Sequence, residues 1–258
     1  MKRIFTVGQD YSFLRNYIED IPENFDTLGK LIQSNRNVIR EDFVEGKKLV
    51  IKSYRRIYLP NRIRYTYFYP SKAQRAFDYA KILLEKGFHT PQPIAYIEII
   101  KNGLINQSYF ISEYSDFRPL DSIRQITLAN QGQLLREVAL FTYRLHKNHI
   151  YHVDYSLGNI LFKKINKHYE FALVDNNRIK FGPIPFEKGI RNLERLGLSV
   201  EQLAAIGKEY ARLWNVDEII SMERLFHYKR SQLERNKIKK SLKEFLSSFK
   251  AMAGVCKS

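Results

Sequence analysis

The stretch His152-Val153-Asp154-Tyr155-Ser156-Leu157-Gly158-Asn159-Ile160-Leu161-Phe162, with Phe171-Ala172-Leu173-Val174-Asp175 after it, decides how this chain is read. Three polar side chains, Asp154, Asn159 and Asp175, stand at fixed offsets, each bordered by apolar residues. Asp154 and Asn159 fall on a loop before a short strand, and Asp175 ends the next strand, so a hairpin aims all three at one point. Two carboxylates and an amide suit Mg²⁺, a hard cation that takes oxygen ligands and keeps positions for phosphate. Phosphoryl transfer is the reaction that needs this grouping. An ordinary helix–strand turn capped by Asp and Asn is the competing account, and it leaves an upstream lysine unexplained.

That lysine ends Leu49-Val50-Ile51-Lys52, where an apolar strand would point its ammonium into a cleft, toward the α- and β-phosphates of a nucleotide. Residues 26–54 read as an antiparallel meander, with a turn at Glu45-Gly46-Lys47. Residues 71–86 place Ala73, Phe77, Ala80, Leu83 and Leu84 near helical spacing, between Ser71 as N-cap and Gly87 as the residue past the end. A second hairpin turns at Lys101-Asn102-Gly103, giving about five strands and one helix by residue 114. The remainder changes character: a long helix from LANQGQLL to HKNH, the short hairpin, then mostly basic helix over residues 192–250. The reading is α+β and bilobal. A β-rich nucleotide-binding lobe spans 1–114 with a hinge at about 110–118, and a helical lobe for catalysis and the acceptor spans 115–258.

With 258 residues, 44% hydrophobic and 14% aromatic, the chain can bury one large core or two small ones sharing a cleft, which excludes disorder and fibre. The formal charge of +16 exceeds what solubility requires and points to an anionic partner: nucleic acid, an acidic membrane surface or a phosphorylated metabolite. The single cysteine, Cys256, permits neither an intramolecular disulfide nor a cysteine zinc cage, so a reducing compartment is expected. No apolar run reaches the length of a signal peptide or a membrane span, so the chain is expected to be neither exported nor membrane-spanning.

The order of Val-Ile-Lys strand, helix, hairpin, long helix, H-x-D-x-x-x-x-N and apolar-apolar-Asp resembles the protein-kinase-like fold. Gly87-Phe88-His89-Thr90-Pro91-Gln92-Pro93, Asp175-Asn176-Asn177-Arg178 and Asn192-Leu193-Glu194-Arg195-Leu196 make it similar to one branch, the lipopolysaccharide core kinases that phosphorylate Kdo or heptose, over about residues 28–200. The resemblance implies that Asp154 accepts the proton of the attacking hydroxyl, that Asn159 and Asp175 hold Mg²⁺, and that Lys52 neutralises ATP. His152 would order the loop. Phe110-Ile111-Ser112-Glu113-Tyr114 would offer backbone to the adenine, with Glu113 and Tyr114 at the nucleotide. The implied acceptor is an anionic glycolipid, lipid A carrying Kdo, met by a cytoplasmic protein attached peripherally to the inner membrane.

The sequence departs from that pattern in places. Gln33-Ser34-Asn35-Arg36-Asn37 stands where a Gly-rich loop would cover the phosphates, so Arg36 is expected to bind them. Ala76 stands where the family's helix Glu would pair with Lys52, leaving Gln74, Asp78 or another carboxylate to substitute. A nucleotide-binding pseudokinase is therefore one alternative, and a kinase of protein or another small molecule is a second. Val153 in place of Arg and the absence of Phe-Gly and Ala-Pro-Glu elements speak against a conventional protein kinase. Residues 54–69 interleave Arg with Tyr and Phe, which suits single-stranded nucleic acid taken alone. Beside kinase residues it favours an anionic membrane or glycolipid, and nucleic acid is not the expected partner. Tyr228 to Lys243 reads as a basic helix with a solvated outer face, Tyr210 and Trp214 as packing residues, and His146, His149 and His152 as too poor a set for a metal.

Overall fold

The computed structural model describes residues 2–255 other than 36, 56 and 127, so Cys256 lies outside the described residues. In chain order the elements are β1 (Lys2–Val7), α1 (Arg15–Asn24), β2 (Lys30–Ser34), β3 (Val38–Val44), β4 (Lys47–Ser53), α2 (Leu59–Tyr67) and α3 (Lys72–Glu85). β5 (Pro93–Lys101), β6 (Leu104–Glu113), β7 (Arg118–Pro119), α4 (Leu128–Lys147), β8 (Ile150–His152), β9 (Ile160–Ile165) and β10 (His168–Leu173) follow. The chain continues through β11 (Ile179–Phe181), α5 (Phe186–Leu193), α6 (Val200–Trp214) and α7 (Glu218–Val255).

By contacts the chain divides into two units, Met1–Thr127 with Ile150–Gly182, and Leu128–His149 with Pro183–Ser258. This differs from the division at 114 read from the sequence. β7 pairs with β9, and the backbone N–H of Leu173 bonds to His89, so the β9–β10 hairpin is joined to the N-terminal segment by main-chain bonds.

The first unit carries an antiparallel six-stranded sheet in the order β1-β5-β6-β4-β3-β2. The β3–β4 and β5–β6 turns, Glu45-Gly46 and Asn102-Gly103, have positive φ at both residues, the geometry that matches the twist of paired strands and that Asn-Gly adopts at low cost. One sheet face is covered by α1: Leu14, Ile18, Ile21 and Phe25 pack with Leu49, Ile51, Ile97 and Tyr109. α3 begins at Ser71, whose hydroxyl accepts from the Gln74 N–H at 3.1 Å, and buries Ala73, Ala76, Phe77, Ala80 and Leu83. Six strands and three helices thus precede residue 114, where the sequence pattern predicts about five and one. β1 is an edge strand alternating exposed and half-buried residues, and α1 carries Pro22 inside it, a residue that reads as a helix breaker.

The second unit is helical, with α4 and α7 packed on α6 and α5 against both α6 and α7. α6 opens with a capping box between Ser199 and Gln202. His146 is buried here. Tyr210 Oη lies 2.7 Å from its Nδ1 and Asn192 Oδ1 3.1 Å from its Nε2, which spends both ring nitrogens on packing partners, and Trp214 meets the Tyr143 ring edge-on.

Candidate functional site

β4 divides its side chains between two surfaces. Leu49 and Ile51 enter the core under α1, so the pleat turns Val50 and Lys52 to the opposite face, where both line a cavity of about 500 Å³. Asn159, Asp175, Glu113 and Tyr114 line the same cavity, as do Ile32 and Gln33 of β2 and Asn37 before β3. Lys52, Asn159 and Asp175 are therefore brought together. Arg36 lies outside the described residues.

Asp175 is held in place from several sides. The Leu173 N–H donates to the His89 carbonyl at 3.0 Å and the Val174 N–H to that of Asn159 at 3.0 Å. Thr90 Oγ1 donates to the Leu173 carbonyl at 2.7 Å and accepts from Asn176 Nδ2 at 2.8 Å. His152 Nε2–H donates to the Val174 carbonyl at 3.1 Å, and burial pushes the pKa of this imidazole down, against the pull of that carbonyl and of Asp175. Between these anchors Asp175 takes a left-handed conformation, φ 59° and ψ 44°, one that Asp visits more readily than most residues but that still costs free energy and clusters at functional sites.

Lys52 Nζ donates to Asp175 Oδ1 at 2.6 Å, and Asn177 Nδ2 donates to the same oxygen at 2.6 Å. Burial pushes the Asp175 carboxyl up, yet the charge and hydrogen bond of Lys52, with His152 and Lys72 behind them, outweigh it and leave the pKa below the ordinary value. Asp175 is thus the partner of Lys52. Ala76 is buried and lines the cavity without offering a carboxylate, while Gln74 and Asp78 on α3 interact with each other. The Tyr54 ring, buried beside them, lies 5.5 Å from the Lys52 ammonium and 5.9 Å from that of Lys72.

Asp154 is not among the residues lining the cavity. Its two carboxylate oxygens take a forked contact from Arg178 Nη1 at 2.9 and 2.6 Å, and its carbonyl accepts from Asn159 Nδ2 at 2.8 Å. That bond fixes the Asn159 amide so that its Oδ1 is the end left for a ligand. Arg178 was assigned no role from sequence, although it stands three residues after Asp175 on the turn into β11; Thr90, Tyr54 and Lys72 were also missed, because nothing in their spacing distinguishes them.

Of the Phe110–Tyr114 backbone expected to face adenine, the Glu113 and Tyr114 N–H groups are bonded within the protein. The Glu113 N–H bonds to the Gln92 carbonyl at 2.9 Å and the Tyr114 N–H to that of Lys48 at 2.8 Å. The Glu113 carboxylate pairs with Lys47 at 2.7 Å, and the Tyr114 ring carries the Lys48 ammonium at 3.6 Å. Ser115 and Phe117 extend the wall beyond them.

For a divalent cation the available oxygens are Asn159 Oδ1 and Asp175 Oδ2, one amide and one carboxylate, a hard donor pair that fits Mg²⁺ shared with phosphate. Among the described residues no cluster of three or more His, Cys, Asp or Glu side chains forms an all-protein metal cage.

The family model described as the lipopolysaccharide kinase (Kdo/WaaP) family matches residues 34–217. Among solved structures, WaaP in complex with acyl carrier protein is similar at a TM-score of 0.60 and 17% sequence identity, over 88% of this chain and 98% of that one. The Rio2 kinase–ADP/Mg²⁺–phosphoaspartate complex from Chaetomium thermophilum gives a TM-score of 0.47 at 18% identity, over 81% of this chain and 65% of that one. No curated protein sequence matches the chain.

Proposed function

The chain belongs to the lipopolysaccharide kinase (Kdo/WaaP) family and has a protein-kinase-like fold, and on that premise we propose that it transfers the γ-phosphoryl group of ATP to a hydroxyl of Kdo in the lipopolysaccharide inner core. Members of the family are kinases of lipopolysaccharide sugars and use ATP, so the enzyme class follows from membership. The observation that supports nucleotide-dependent phosphoryl transfer at this site is the convergence of Lys52, Asn159 and Asp175 on one cavity of about 500 Å³, a size suited to a nucleotide.

In this reading residues up to about 114 grip the nucleotide. Lys52 exchanges its contact with Asp175 for the phosphates, and the polar side chains of Gln33 and Asn37 stand where glycines would otherwise bare the backbone. Asn159 Oδ1 and Asp175 Oδ2 would hold Mg²⁺, which when bound screens the charge that builds on the phosphate oxygens. Asp154 accepts the proton of the sugar hydroxyl as its oxygen bonds to phosphorus and the bond to ADP breaks. Arg178, fastened to both Asp154 oxygens, fixes the direction in which that carboxylate points. The +16 charge draws the chain toward a polyanionic acceptor, a lipid A precursor bearing Kdo on the cytoplasmic face of the inner membrane. No helix among the described residues is long and apolar enough to cross a membrane, and the attachment in this reading is peripheral.

The test is phosphoryl transfer from ATP to a Kdo-bearing lipid A precursor, with the phosphorylated sugar located by mass spectrometry. One added phosphoryl group on Kdo is the expected product. A phosphoryl group on heptose alone overturns the choice of sugar, and no transfer to either, where a related kinase succeeds, overturns the reading.

A further inference from the structure

We propose that α2 and the turn after it form a docking surface for an anionic lipid bilayer. This helix is built inside out. Leu59, Pro60, Ile63, Arg64, Tyr67 and Phe68 are exposed, and the half-buried positions between them are Asn61, Arg62, Tyr65 and Thr66. Arg62 Nε donates to the Ile105 carbonyl at 2.8 Å and the Ile105 N–H donates to Thr66 Oγ1 at 2.9 Å, so polar side chains fasten the helix to β6. A helix on a protein surface ordinarily turns its i, i+4, i+8 apolar stripe toward the core. Here Leu59, Ile63 and Tyr67 occupy that stripe and face away, with Tyr67 65% and Phe68 79% exposed. Within a unit that buries its other apolar helix faces, so much outward hydrocarbon marks a surface awaiting a partner.

The charge says which partner. From Gly46 to Phe77 the chain has nine Lys and Arg and no Asp or Glu. The guanidinium groups of Arg64 and Arg75 lie 4.7 and 4.8 Å from the Tyr69 ring, which sets cationic heads at the level of the aromatic rings. Tyr67 Oη donates to the Gly103 carbonyl at 3.4 Å, bringing the β5–β6 turn with its exposed Lys101 beside the helix. Rings at headgroup depth, guanidinium groups on lipid phosphates and aliphatic side chains reaching the acyl boundary are what an interfacial helix presents to an anionic bilayer. Single-stranded nucleic acid would use the cations and rings, but Leu59, Pro60 and Ile63 offer it no π-face for stacking.

The inference deepens the glycolipid-kinase reading and rests on it only for the reason the chain should meet a membrane. It is tested by flotation of the full chain with vesicles of phosphatidylcholine alone and of phosphatidylcholine mixed with phosphatidylglycerol. The chain is expected to float with the anionic vesicles and not with the neutral ones. The double substitution Ile63→Asp with Phe68→Asp is expected to lower the partition coefficient at least about tenfold. Arg64→Ser is expected to lower it about fivefold at low salt, and less at high salt. These positions are exposed, and unchanged circular dichroism and ATP affinity check that the variants are folded. Phosphoryl transfer to a delipidated Kdo acceptor is measured alongside. Flotation lost by the variants with that activity retained supports the docking surface, and wild-type flotation without any phosphoryl transfer supports it while sinking the kinase reading. Failure of the wild type to float with anionic vesicles overturns the proposal. So does flotation undiminished in the double variant, tighter binding of a single-stranded oligonucleotide through the same residues, or a dimer that those substitutions dissociate.

Discussion

The ammonium of Lys52 on β4 and the Oδ1 of Asp175 lie 2.6 Å apart although 123 residues separate them in the chain. The pair is well shielded, with the lysine side chain 14% and the aspartate 30% exposed. It ties β4 to the loop after β10, the two segments proposed above to carry the nucleotide lysine and a metal carboxylate, and it supplies Lys52 with a carboxylate partner where Ala76 offers none. One contact therefore serves both stability and the site.

Removing either partner should be costly in two measurements. Lys52→Met is expected to destabilise the fold by about 1–3 kcal/mol, since it strands a shielded carboxylate, and to lower kcat/KM by about 10²–10³ through lost phosphate stabilisation. In an Asp175→Asn background the same change should cost less stability, and a double-mutant cycle in denaturant reads the difference. The Asp175 pKa lies below its ordinary value in the fold, so the stability it contributes is present above the unfolded value and is lost as pH falls through the folded one. The gap between wild type and Lys52→Met should accordingly close in acid, below the ordinary carboxylate value of 3.8.

Arg178 and Asp154 form the second pair, with contacts of 2.6 and 2.9 Å. The pair is open to solvent on the arginine side, so it should add little to stability, and its value lies in aim. Asp154→Asn removes the proposed proton acceptor and is expected to lower kcat by about 10²–10⁴ with little change in ATP affinity. Arg178→Ala should lower kcat by about tenfold, and Arg178→Lys should recover part of it, because one nitrogen, Nη1, makes both contacts to the carboxylate and an ammonium on a shorter, more flexible stem aims it less well. An arginine variant with full kcat would show that Asp154 is oriented by the loop alone.

His146 sets an acid limit in the helical unit. Burial, with nearby Lys188, outweighs the bond to Asn192 and brings its pKa down to about 4, so the neutral ring is what the fold accepts. The unfolded chain takes up the proton first, near 6.5, so stability is full above that value and declines as pH falls toward 4, by about 3 kcal/mol at most. Thermal unfolding followed by Trp214 fluorescence should show the decline, and His146→Phe should flatten it. Gly189→Ala tests the same pocket without a charge: a Cβ there would stand 2.0 Å from Tyr210 Oη and 2.9 Å from His146 Nδ1, and about 1–3 kcal/mol of overpacking is expected.

Much of the site was legible in the sequence because its residues are tied to local patterns. Asn159 and Asp175 sit at loop offsets that the hairpin brings to one cavity, whereas Asp154, expected at the same point, turns its carboxylate to Arg178 and is not among the lining residues; Lys52 alternates with Leu49 and Ile51 in a strand whose pleat decides which way it faces. Arg178 was legible only as part of a resemblance, since its partner is set by the turn into β11 and not by periodicity. β1 is half-exposed and so lacks a clear apolar alternation, and Pro22 masks α1. The sequence shows α2 only as Arg interleaved with aromatics, because a helix bound through Arg62 and Thr66 defies the rule that apolar residues face inward. The sequence called for Gln74, Asp78 or another carboxylate beside Lys52 but did not single out Asp175, since Ala76 removes the expected helix Glu and only tertiary packing supplies another.

Glu98 on β5 offers a prediction of opposite sign. Its side chain is buried, Oε1 has no hydrogen-bond partner, and burial pushes its pKa above the ordinary value of 4.5, against a hydrogen bond with Ser71. The fold therefore favours the protonated acid. The stability this group contributes is fully present below the unfolded value and is lost as pH rises through the folded one, so the buried carboxyl weakens the fold at neutral pH relative to acid. Glu98→Gln keeps the shape, removes the charge and is expected to stabilise the β-rich unit by about 1 kcal/mol at neutral pH, with the gain vanishing in acid where the wild-type group is already neutral. Urea unfolding at both pH values reads the two outcomes, and a variant destabilised at neutral pH would mean that the carboxylate has a cationic partner in solution.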